Sequence, residues 1–494
     1  MLAWYARDTL SPPEVTTKVD ERLPLDDEDM AVSQTTTAVH RDMTKVALEH
    51  HRAGRLVEAE QMYRQLLADD PDNADCLHLL GMVAHQTGRH DLAVELIRKA
   101  IALHSMAASY HSNLGNVLQA QGSLHEAGAC YQQALTLKPN QAEVWVNMGH
   151  ILKAQGELDS GLACYRRALE IKPGLAEARV AESMALLLGG DYSAGWRNFE
   201  LRWQTQDYDT LLRTYSQPLW KGEPLTSGGL LIWGEQGVGD EVMFAGLIPD
   251  VRSSGNRLIL DCDARLQPLF ARSFPEVEVV SGYEPHLYPE LRIAAHLPSG
   301  SLPGLFRTDH EAFAATTSTY LVADPVATER FRRKSDDGRP RVGLAWQTRN
   351  KKSGGSRSID LALLAPLFSR SDIQWVSLQY GDHDALENQA STAGATLLID
   401  RAVDQLSDID NFAAQISAMD LVVTIDNSTA HLAAALGVPT WVLLPFAPDW
   451  RWLLGRDDSP WYPTMRLFRQ PLSGDWPSVV EQVQAALATT FHRP

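Results

Sequence analysis

The sequence predicts an α-helical solenoid followed by an α/β region made of two parallel-sheet domains. A helix-forming pattern that recurs every 34 residues predicts the solenoid, at residues 39–215 with its cap. From Leu230 onward, short runs of leucine and β-branched residues alternate with helical stretches, which is typical of parallel sheets covered on both faces. A polar, basic segment at 331–340 divides these runs into two sets. We therefore expect α/β domains at 216–335 and 336–494.

The first 38 residues are predicted to form a disordered, acidic leader. They include the run DDED at 26–29 and lack the basic start and apolar core of a secretory signal. The chain has no stretch of about 18 apolar residues that would suit a membrane span. Its four cysteines show neither a CxxC pair nor zinc spacing. These features predict a cytoplasmic protein without a membrane span.

The charge of the chain is acidic, with a formal net value of −18. A charge of this sign opposes the binding of a polyanion through bulk electrostatics, so we expect no nucleic-acid partner. A local basic pocket for a small anion is still compatible with it.

The repeat is defined by small residues and aromatics at fixed positions. Gly81, Gly115 and Gly149 share one position, which lets two antiparallel helices approach closely. Another position holds Tyr63, Ile97, Tyr131 and Tyr165, and its aromatic residues are expected to fill the space between neighbouring hairpins. This pattern resembles the tetratricopeptide repeat in period and signature. A partial fifth unit at 190–203, rich in aromatics, is predicted to cap the solenoid.

Asn113 and Asn147 occupy the same repeat position, two residues before the glycine. In the tetratricopeptide domain of O-linked N-acetylglucosamine transferases, asparagines at this position hold the backbone of an extended polypeptide. An amide suits that task because it both donates and accepts hydrogen bonds. The resemblance implies a protein or peptide acceptor bound by these two residues. Solvated polar residues on a helix face are the alternative.

The α/β region is predicted from nine apolar runs. The first set is LLIW, RLIL, VEVV and LRIAA, and the second is RVGLAW, IQWVSL, ATLLID, LVVTI and TWVLL. We interpret each set as a Rossmann-like domain, with a cleft between the two. Ligands of such sheets bind beyond the carboxyl ends of the strands, so the residues that follow the strands are the candidate site.

Three such strand ends carry polar residues. The first, Gly234–Glu241, is a glycine turn into a helix that begins near Asp240, and a plain capping turn is the alternative. The second, Trp346–Ile359, is a Gly/Ser loop with four cations, which predicts an anion cradle or else a solvated loop. Those cations are Arg349, Lys351, Lys352 and Arg357.

The third strand end, TIDNSTAHLAAALGVP, starts at Thr424. Asp426 and Asn427 end the strand, and Ser428 or Thr429 is expected to cap the helix that follows. The backbone N–H groups of residues 429–431 are then predicted to face an anion in the cleft. His431 is expected to add a hydrogen bond or a positive charge to a phosphate. A capping turn with an incidental histidine is the alternative.

This stretch resembles the donor-site motif D-[ST]-G-x-x-H-L-x-A-A of GT-B glycosyltransferases related to bacterial heptosyltransferases. Asp426 and His431 match the motif, while Asn427 and Ser428 replace its hydroxyl residue and glycine. The resemblance extends over about residues 218–487. A solenoid followed by this fold is also the layout of O-linked N-acetylglucosamine transferases and bacterial flagellin glycosyltransferases.

The resemblance implies a metal-independent, inverting glycosyltransferase without a cofactor, which uses a nucleotide sugar as donor. Asp240, in the Gly-Asp pair, is then the catalytic base, and Glu235 is its reserve. Trp450 and Trp452 either face the sugar or base or pack in the core. The predicted donor-binding residues are Trp346, Gln347, Lys351, Lys352, Arg357, Tyr380, Asp426, Asn427, Ser428, Thr429, Ala430 and His431.

Several alternatives stay open at this point. Asp261-Cys262-Asp263 forms a DxD, and Asp382-His383-Asp384 is a second acidic run, but we expect neither to bind a metal. The chain is alternatively a scaffold whose α/β half is not catalytic, or a transferase that acts on lipopolysaccharide or polysaccharide. Flagellin is the acceptor that the bacterial resemblance favours.

Overall fold

The structure, a computed structural model, describes residues 38–205, 212–213, 215–284, 286–288, 290–316, 318–334, 337–350 and 354–491. The chain forms two compact units, and the division falls after Ala178. The predicted leader, apart from its last residue, lies outside the described residues, as do Lys351 and Lys352.

The first unit is a series of helical hairpins. Its helices are α1 (Ala38–Arg52), α2 (Leu56–Asp69), α3 (Ala74–Gln86), α4 (His90–Leu103), α5 (Ala108–Ala120), α6 (Leu124–Leu137), α7 (Ala142–Ala154) and α8 (Leu158–Ile171). Helix α9 (Ala176–Leu188) crosses the division between the units. The turn inside each hairpin has a glycine with positive φ, as at Gly88 and Gly122, because other residues rarely adopt this conformation.

The close approach predicted inside the hairpins is confirmed. A Cβ atom added at Gly115 would lie 2.6 Å from the Tyr131 ring, and one at Gly149 would lie 2.5 Å from the Tyr165 ring. Both tyrosines are fully buried. Each glycine therefore leaves the space that the tyrosine of the same hairpin fills, whereas the aromatic residues were expected to pack between neighbouring hairpins.

The second unit begins with an aromatic helical segment. Helix α10 (Tyr192–Phe199) continues into a 3-10 helix, Glu200–Gln204. The Trp196 indole donates to the backbone oxygen of Arg307 at 2.9 Å, and its ring meets that of Trp450 at 5.3 Å between centroids. The segment that was predicted to cap the solenoid thus packs its aromatic residues within the α/β unit.

The α/β unit contains two sheets in which every pairing is parallel. The first has the order β3-β2-β1-β4, and the second has the order β10-β9-β8-β5-β6-β7. The strands are β1 (Gly229–Trp233), β2 (Arg257–Asp261), β3 (Glu278–Val280), β4 (Ile293–Pro298), β5 (Arg341–Ala345), β6 (Gln374–Ser377), β7 (Leu397–Leu398), β8 (Leu421–Ile425), β9 (Thr440–Leu444) and β10 (Met465–Arg469).

The nine predicted runs all contain strands, but β10 was not predicted. It is an edge strand in which Arg466 is exposed and Arg469 is half-buried, so its apolar run is interrupted. The helices of this unit after α10 are α11 (Val238–Ala245), α12 (Ile248–Arg252), α13 (Gln267–Ser273), α14 (Pro303–Phe306), α15 (Pro325–Lys334), α16 (Gly354–Arg357), α17 (His383–Thr392), α18 (Ile409–Ser417), α19 (Ser428–Ala435) and α20 (Trp476–Thr490). Among the described helices, none is both long and apolar enough to cross a bilayer.

The strand order reverses at one place in each sheet. In the first sheet the chain moves outward from β1 to β3 and then returns to the other side of β1 as β4. In the second sheet the same reversal separates β5 from β8. Ligands of doubly wound sheets bind beyond the carboxyl ends of the strands at such a reversal. The loops after β1, β5 and β8, which the sequence analysis selected, all begin there.

Candidate functional site

The loop after β1 is held from inside by a buried ion pair. Glu235 accepts hydrogen bonds from Arg202 at 2.7 and 3.0 Å, and from the backbone N–H of Gly300 at 2.8 Å. Both charged side chains are fully buried. Glu235 was expected to serve as a reserve base, but this prediction is wrong. Its carboxylate has no access to an acceptor, and it anchors the loop instead.

Arg202 was missed by the sequence analysis. It also donates to Ser301 Oγ at 3.0 Å and to the backbone oxygen of Phe199 at 3.2 Å. A glutamate that is buried directly after a strand needs a cationic partner. This requirement was the one signal in the sequence that could have led to Arg202.

Asp240 lies in the first turn of α11, with about a fifth of its side chain exposed. Its Oδ1 accepts from Arg451, a residue of the 3-10 helix Trp450–Trp452 that follows β9. Glu241, the next residue, is half-buried and accepts from the backbone N–H of Asp263 at 2.9 Å. Loss of hydration raises the pKa of the Glu241 carboxyl to about 8. The two neighbouring carboxylates therefore have different partners, Arg451 for Asp240 and a backbone N–H for Glu241.

The start of α19 is capped by Asn427, whereas Ser428 or Thr429 was expected. Asn427 Oδ1 accepts from the backbone N–H groups of Thr429 and Ala430 at 3.0 and 3.3 Å. The cap already satisfies these two N–H groups, so the prediction that they face an anion is wrong for Thr429 and Ala430, and for the His431 N–H it stays a prediction. The Nδ2 group of Asn427 is buried and has no hydrogen-bond partner within the described part of the chain. Ser428 is half-buried at the first helical position.

His431 is buried and neutral. Burial lowers its pKa to about 3, which removes the positive charge expected for phosphate binding. Its Nδ1 lies 2.9 Å from the hydroxyl of Tyr462, and its ring stacks on Trp452 at 5.3 Å between centroids. Trp450 and Trp452 are both buried, so their placement agrees with core packing.

A chain of hydroxyl groups assigns the His431 tautomer. The Tyr320 hydroxyl donates to the backbone oxygen of Val242 at 2.9 Å, so its own oxygen accepts from Tyr462, to which it is hydrogen-bonded. The Tyr462 oxygen then accepts from His431 Nδ1–H. His431 Nε2 therefore carries a lone pair, and this nitrogen accepts rather than donates hydrogen bonds.

The two halves of the α/β unit meet where α11 and α19 begin. A Cβ atom at Gly239 would lie 3.1 Å from His431 Cδ2 and 3.4 Å from Ser428 Cα. A side chain at this position would require His431 to move by a few tenths of an ångström, whereas glycine allows the contact at the observed spacing. The Gly-Asp pair of the first half therefore lies directly against the DNSTAH segment of the second.

Five charged side chains form a continuous series along this junction. Arg357 lies 3.1 Å from Asp426 and 3.8 Å from Asp449, and Arg451 pairs with Asp449 at 2.6 Å and with Asp240. Burial raises the pKa of Asp426 to about 6, although Arg357 opposes this shift. Burial would also raise the pKa of Asp449, but Arg451 and Arg357 together hold it below its ordinary value. Asp449 and Arg451 were not predicted from the sequence as site residues.

An open pocket of about 230 Å³ lies beyond the carboxyl ends of β5 and β6. Gln347 and Tyr380, two of the residues that were predicted to bind a donor, line it together with Arg349. The Tyr380 hydroxyl accepts from the Arg349 backbone N–H at 2.5 Å, and the Arg349 guanidinium lies over its ring at 5.3 Å. The side chain of Trp346 is instead fully buried in the core. Trp346 was predicted to contact the donor, but its indole does not line this pocket and donates instead to Gln389 Oε1, on the pocket wall, at 3.3 Å.

The two predicted acceptor-binding asparagines take part in a network inside the solenoid. Asn113 is buried and bonds to His78 Nε2 at 2.9 Å. Asn147 is half-buried and donates to Asn116 Oδ1 at 3.0 Å, and Asn116 donates to Asn113 Oδ1 at 3.4 Å. Asn113 therefore presents little surface to a peptide, whereas Asn147 stays accessible.

The acidic runs weighed as metal sites have other partners. Asp261 pairs with Arg213, and Asp263 pairs with Arg265 at 2.7 Å. Asp382 caps α17 through the backbone N–H of Ala385 at 2.9 Å. Within the described ranges, no group of three or more His, Cys, Asp or Glu side chains is arranged to hold a metal ion.

The first unit contains tetratricopeptide repeats. Family models described as tetratricopeptide or TPR repeat match residues 50–114, 115–156 and 142–175. The repeats predicted from the 34-residue period are thus confirmed.

A similar protein is Protein FlbA of Caulobacter vibrioides, which is 31% identical over 330 residues. The match covers 62% of this chain and 54% of that protein, so it spans about half the length of this relative.

The chain also resembles several solved structures. One is MamA, at 22% identity and a TM-score of 0.30, which covers 34% of this chain and 98% of that chain. Another is pilF of Pseudomonas aeruginosa, at 19% identity and a TM-score of 0.34, which covers 44% of this chain and 86% of that chain. A third is YrrB, described as a TPR protein with an unusual peptide-binding site, at 21% identity and a TM-score of 0.30, with 34% and 87% covered.

Proposed function

We propose that this protein is a glycosyltransferase of GT-B type, which moves a sugar from a nucleotide-sugar donor to a hydroxyl group of a protein acceptor. The observation that carries the proposal is the junction of α11 and α19. Each helix follows a strand at the reversal of its own sheet, and Asp240 lies at their meeting point beside Arg451. Such a junction brings a carboxylate and two guanidinium groups to one place, which is what this transfer requires.

In the proposed reaction, the acceptor oxygen forms a bond to the anomeric carbon of the sugar. The bond between that carbon and the phosphate oxygen breaks, and the leaving nucleotide keeps its electron pair. The acceptor proton passes to Asp240. Arg357, Arg451 and the unpartnered Nδ2 group of Asn427 supply donors and charge for the phosphate, and the scheme uses no metal ion.

The nucleoside is assigned to the open pocket beyond β5 and β6, where ligands of parallel sheets bind. Gln347 offers an amide for hydrogen bonds, and Tyr380 offers an aromatic ring beside the Arg349 guanidinium. His431 Nε2 is suited to a sugar hydroxyl because it accepts a hydrogen bond, which a phosphate oxygen cannot donate.

The acceptor is proposed to be a protein because tetratricopeptide repeats form surfaces for peptide partners. Flagellin is the candidate to test first, on the bacterial resemblance. Asn147 is the residue of the asparagine pair that we assign to acceptor binding.

A scaffold with a non-catalytic α/β half is the second candidate. It is favoured by one observation, namely that Asp240 is already paired with Arg451 in the free protein. A catalytic base must be able to leave such a pair, whereas a structural carboxylate would remain in it.

A thermal-shift screen with UDP-, GDP-, ADP- and CMP-sugars, with EDTA present, separates the two candidates. Stabilisation by one nucleotide class is expected, because a ligand that binds the folded state raises its stability. The stabilising donor is then incubated with flagellin and analysed by mass spectrometry, with Asp240→Asn as the inactive control. If none of the four classes stabilises the protein, the result would support a scaffold with a non-catalytic α/β half.

A further inference from the structure

The ion pair between Arg451 and Asp240, here called the latch, connects the two halves of the α/β unit. Arg451 is nearly buried and its guanidinium lies 4.5 Å from the centre of the Trp450 ring. One terminal nitrogen donates to Asp240 and approaches Gln236 Oε1 at 3.4 Å, and the other donates to Asp449 at 2.6 Å. The arginine therefore has one partner in its own loop and one across the junction.

The positive charges at the junction are already compensated before any ligand arrives. The two guanidinium groups, Arg357 and Arg451, have three neighbouring carboxylates, Asp240, Asp426 and Asp449. A phosphate that binds here must therefore take a cation from a carboxylate. Otherwise it meets a site whose positive charge is already compensated.

Arg451 is the cation that is positioned to exchange. Arg357 is paired with Asp426, whose side chain is only 5% exposed, whereas the Asp240 side chain is 22% exposed. Asp449 keeps hold of Arg451 while its other nitrogen is released. The arginine can thus exchange Asp240 for a phosphate without losing its second carboxylate.

The backbone at the two ends of the latch is also unusual. Gln236 and Leu453, with φ of 68° and 51°, are the non-glycine residues with positive φ in the part of the chain that the structure describes. Gln236 belongs to the loop of Asp240, and Leu453 follows the 3-10 helix of Arg451. Such conformations persist where the surroundings impose them and are concentrated at functional sites.

We propose that the donor phosphate opens the latch: it takes Arg451 from Asp240, and only then is Asp240 free to accept the proton of the acceptor hydroxyl. This inference rests on the proposed function. It predicts an order of events, in which the donor binds first and thereby prepares the base. In the protein without a donor, Asp240 would stay paired with Arg451 and could not accept a proton from an acceptor hydroxyl.

The test is a cycle of two substitutions, read by the dissociation constant of a nucleotide in calorimetry. The probes are UDP, GDP, ADP and CMP. Asp240→Asn removes the competitor for Arg451, so binding should tighten roughly 3- to 10-fold, the size of a partly exposed ion pair. Arg451→Gln removes a charged partner of the phosphate, so binding should weaken roughly 10- to 100-fold.

The double variant distinguishes the latch from simple repulsion between Asp240 and the phosphate. With the latch, Asp240→Asn has no effect in the Arg451→Gln background, because there is no arginine left to release. With repulsion alone, the tightening persists in that background. Asp240→Asn keeps the size of the side chain, whereas Arg451→Gln shortens it, and thermal unfolding of each variant checks that it folds.

The outcomes separate the latch from the function on which it rests. If the wild-type protein binds none of the four nucleotides, the proposed function is overturned, and the latch with it. Binding by the wild-type protein with no tightening in Asp240→Asn would overturn the latch alone. Tightening that disappears in the double variant would establish it.

Discussion

The buried pair of Arg202 and Glu235 gives a prediction whose size follows from the structure. We consider Arg202→Met, which keeps the length of the side chain and removes its charge. Glu235 then remains inside the protein with two hydrogen-bond donors, the Gly300 N–H and the side-chain amide of Gln236, but with no cation from Arg202. A carboxylate without its cation at such a depth folds in the protonated form.

The cost of this protonation sets the magnitude. A carboxyl with the ordinary pKa of about 4.3 costs about 1.36 kcal/mol to protonate for each unit of pH above that value, or about 3.7 kcal/mol at pH 7. This figure agrees with the roughly 3–5 kcal/mol measured when one partner of a buried pair is removed. The lost hydrogen bonds to Ser301 and Phe199 add a smaller part that does not depend on pH.

The sign of the pH dependence makes the prediction specific. In the variant, the folded state keeps its proton while the unfolded state loses it above about pH 4.3. The destabilisation should therefore be largest at pH 7 and shrink by about 1.4 kcal/mol for each unit as the pH falls toward 5. In the double variant Arg202→Met/Glu235→Leu, this dependence should disappear.

The assay is urea unfolding followed by tryptophan fluorescence at several pH values. Of the 13 tryptophans, all but Trp4 and Trp145 follow Ala178, so the signal reports on the α/β unit. Arg197→Met, at an exposed position of α10, is the matched control and should change stability by no more than about 0.5 kcal/mol. A penalty for Arg202→Met that is the same at pH 5 and pH 7 would refute the reasoning.

Three further predictions concern other buried groups. Because burial raises the pKa of Glu241 to about 8, the free energy of unfolding should fall by about 1.4 kcal/mol for each unit as the pH rises from about 4.5 to 8. Glu241→Gln should remove this contribution. An unchanged dependence of the unfolding free energy on pH in urea titrations would contradict the prediction. Gly115→Ala should destabilise the solenoid by about 1–3 kcal/mol, because the new methyl group would clash with the ring of Tyr131. Gly128→Ala is the control, since its methyl group would meet the nearest side chain at 3.4 Å. The rates of amide hydrogen exchange in α5 and α6 compare the stability of the two variants. Nitrogen-15 spectra should show His431 protonated on Nδ1, and Tyr462→Phe should move the tautomer equilibrium toward Nε2–H; a protonated Nε2 in the wild-type protein would overturn the assignment.

The sequence predicted the solenoid well because its signals are local and repeated. Gly115 and Gly149 recur at a spacing of 34 and face tyrosines of their own hairpins, so each contact is repeated along the chain. The strands β1 and β8 were predicted for a similar reason, since a strand buried on both faces is a continuous apolar run. The edge strand β10 carries arginines and lacked that signal.

The candidate site was predicted only in part. Asp240, Asp426 and His431 were selected because they follow strands, and the structure brings them to one junction. Glu235 was misassigned for the same reason, since its position on the loop says nothing about which way its side chain turns.

By itself, the sequence determined the repeat, the strands and the polar residues that end them, since periodicity and strand burial are properties of neighbouring positions. The tertiary structure alone decided the charge and partners of those residues. Arg451 lies 211 positions from Asp240, and His431 becomes a neutral acceptor only because Tyr462 and Trp452 surround it. Protonation and pairing depend on burial and on distant charges, and chain order encodes neither directly.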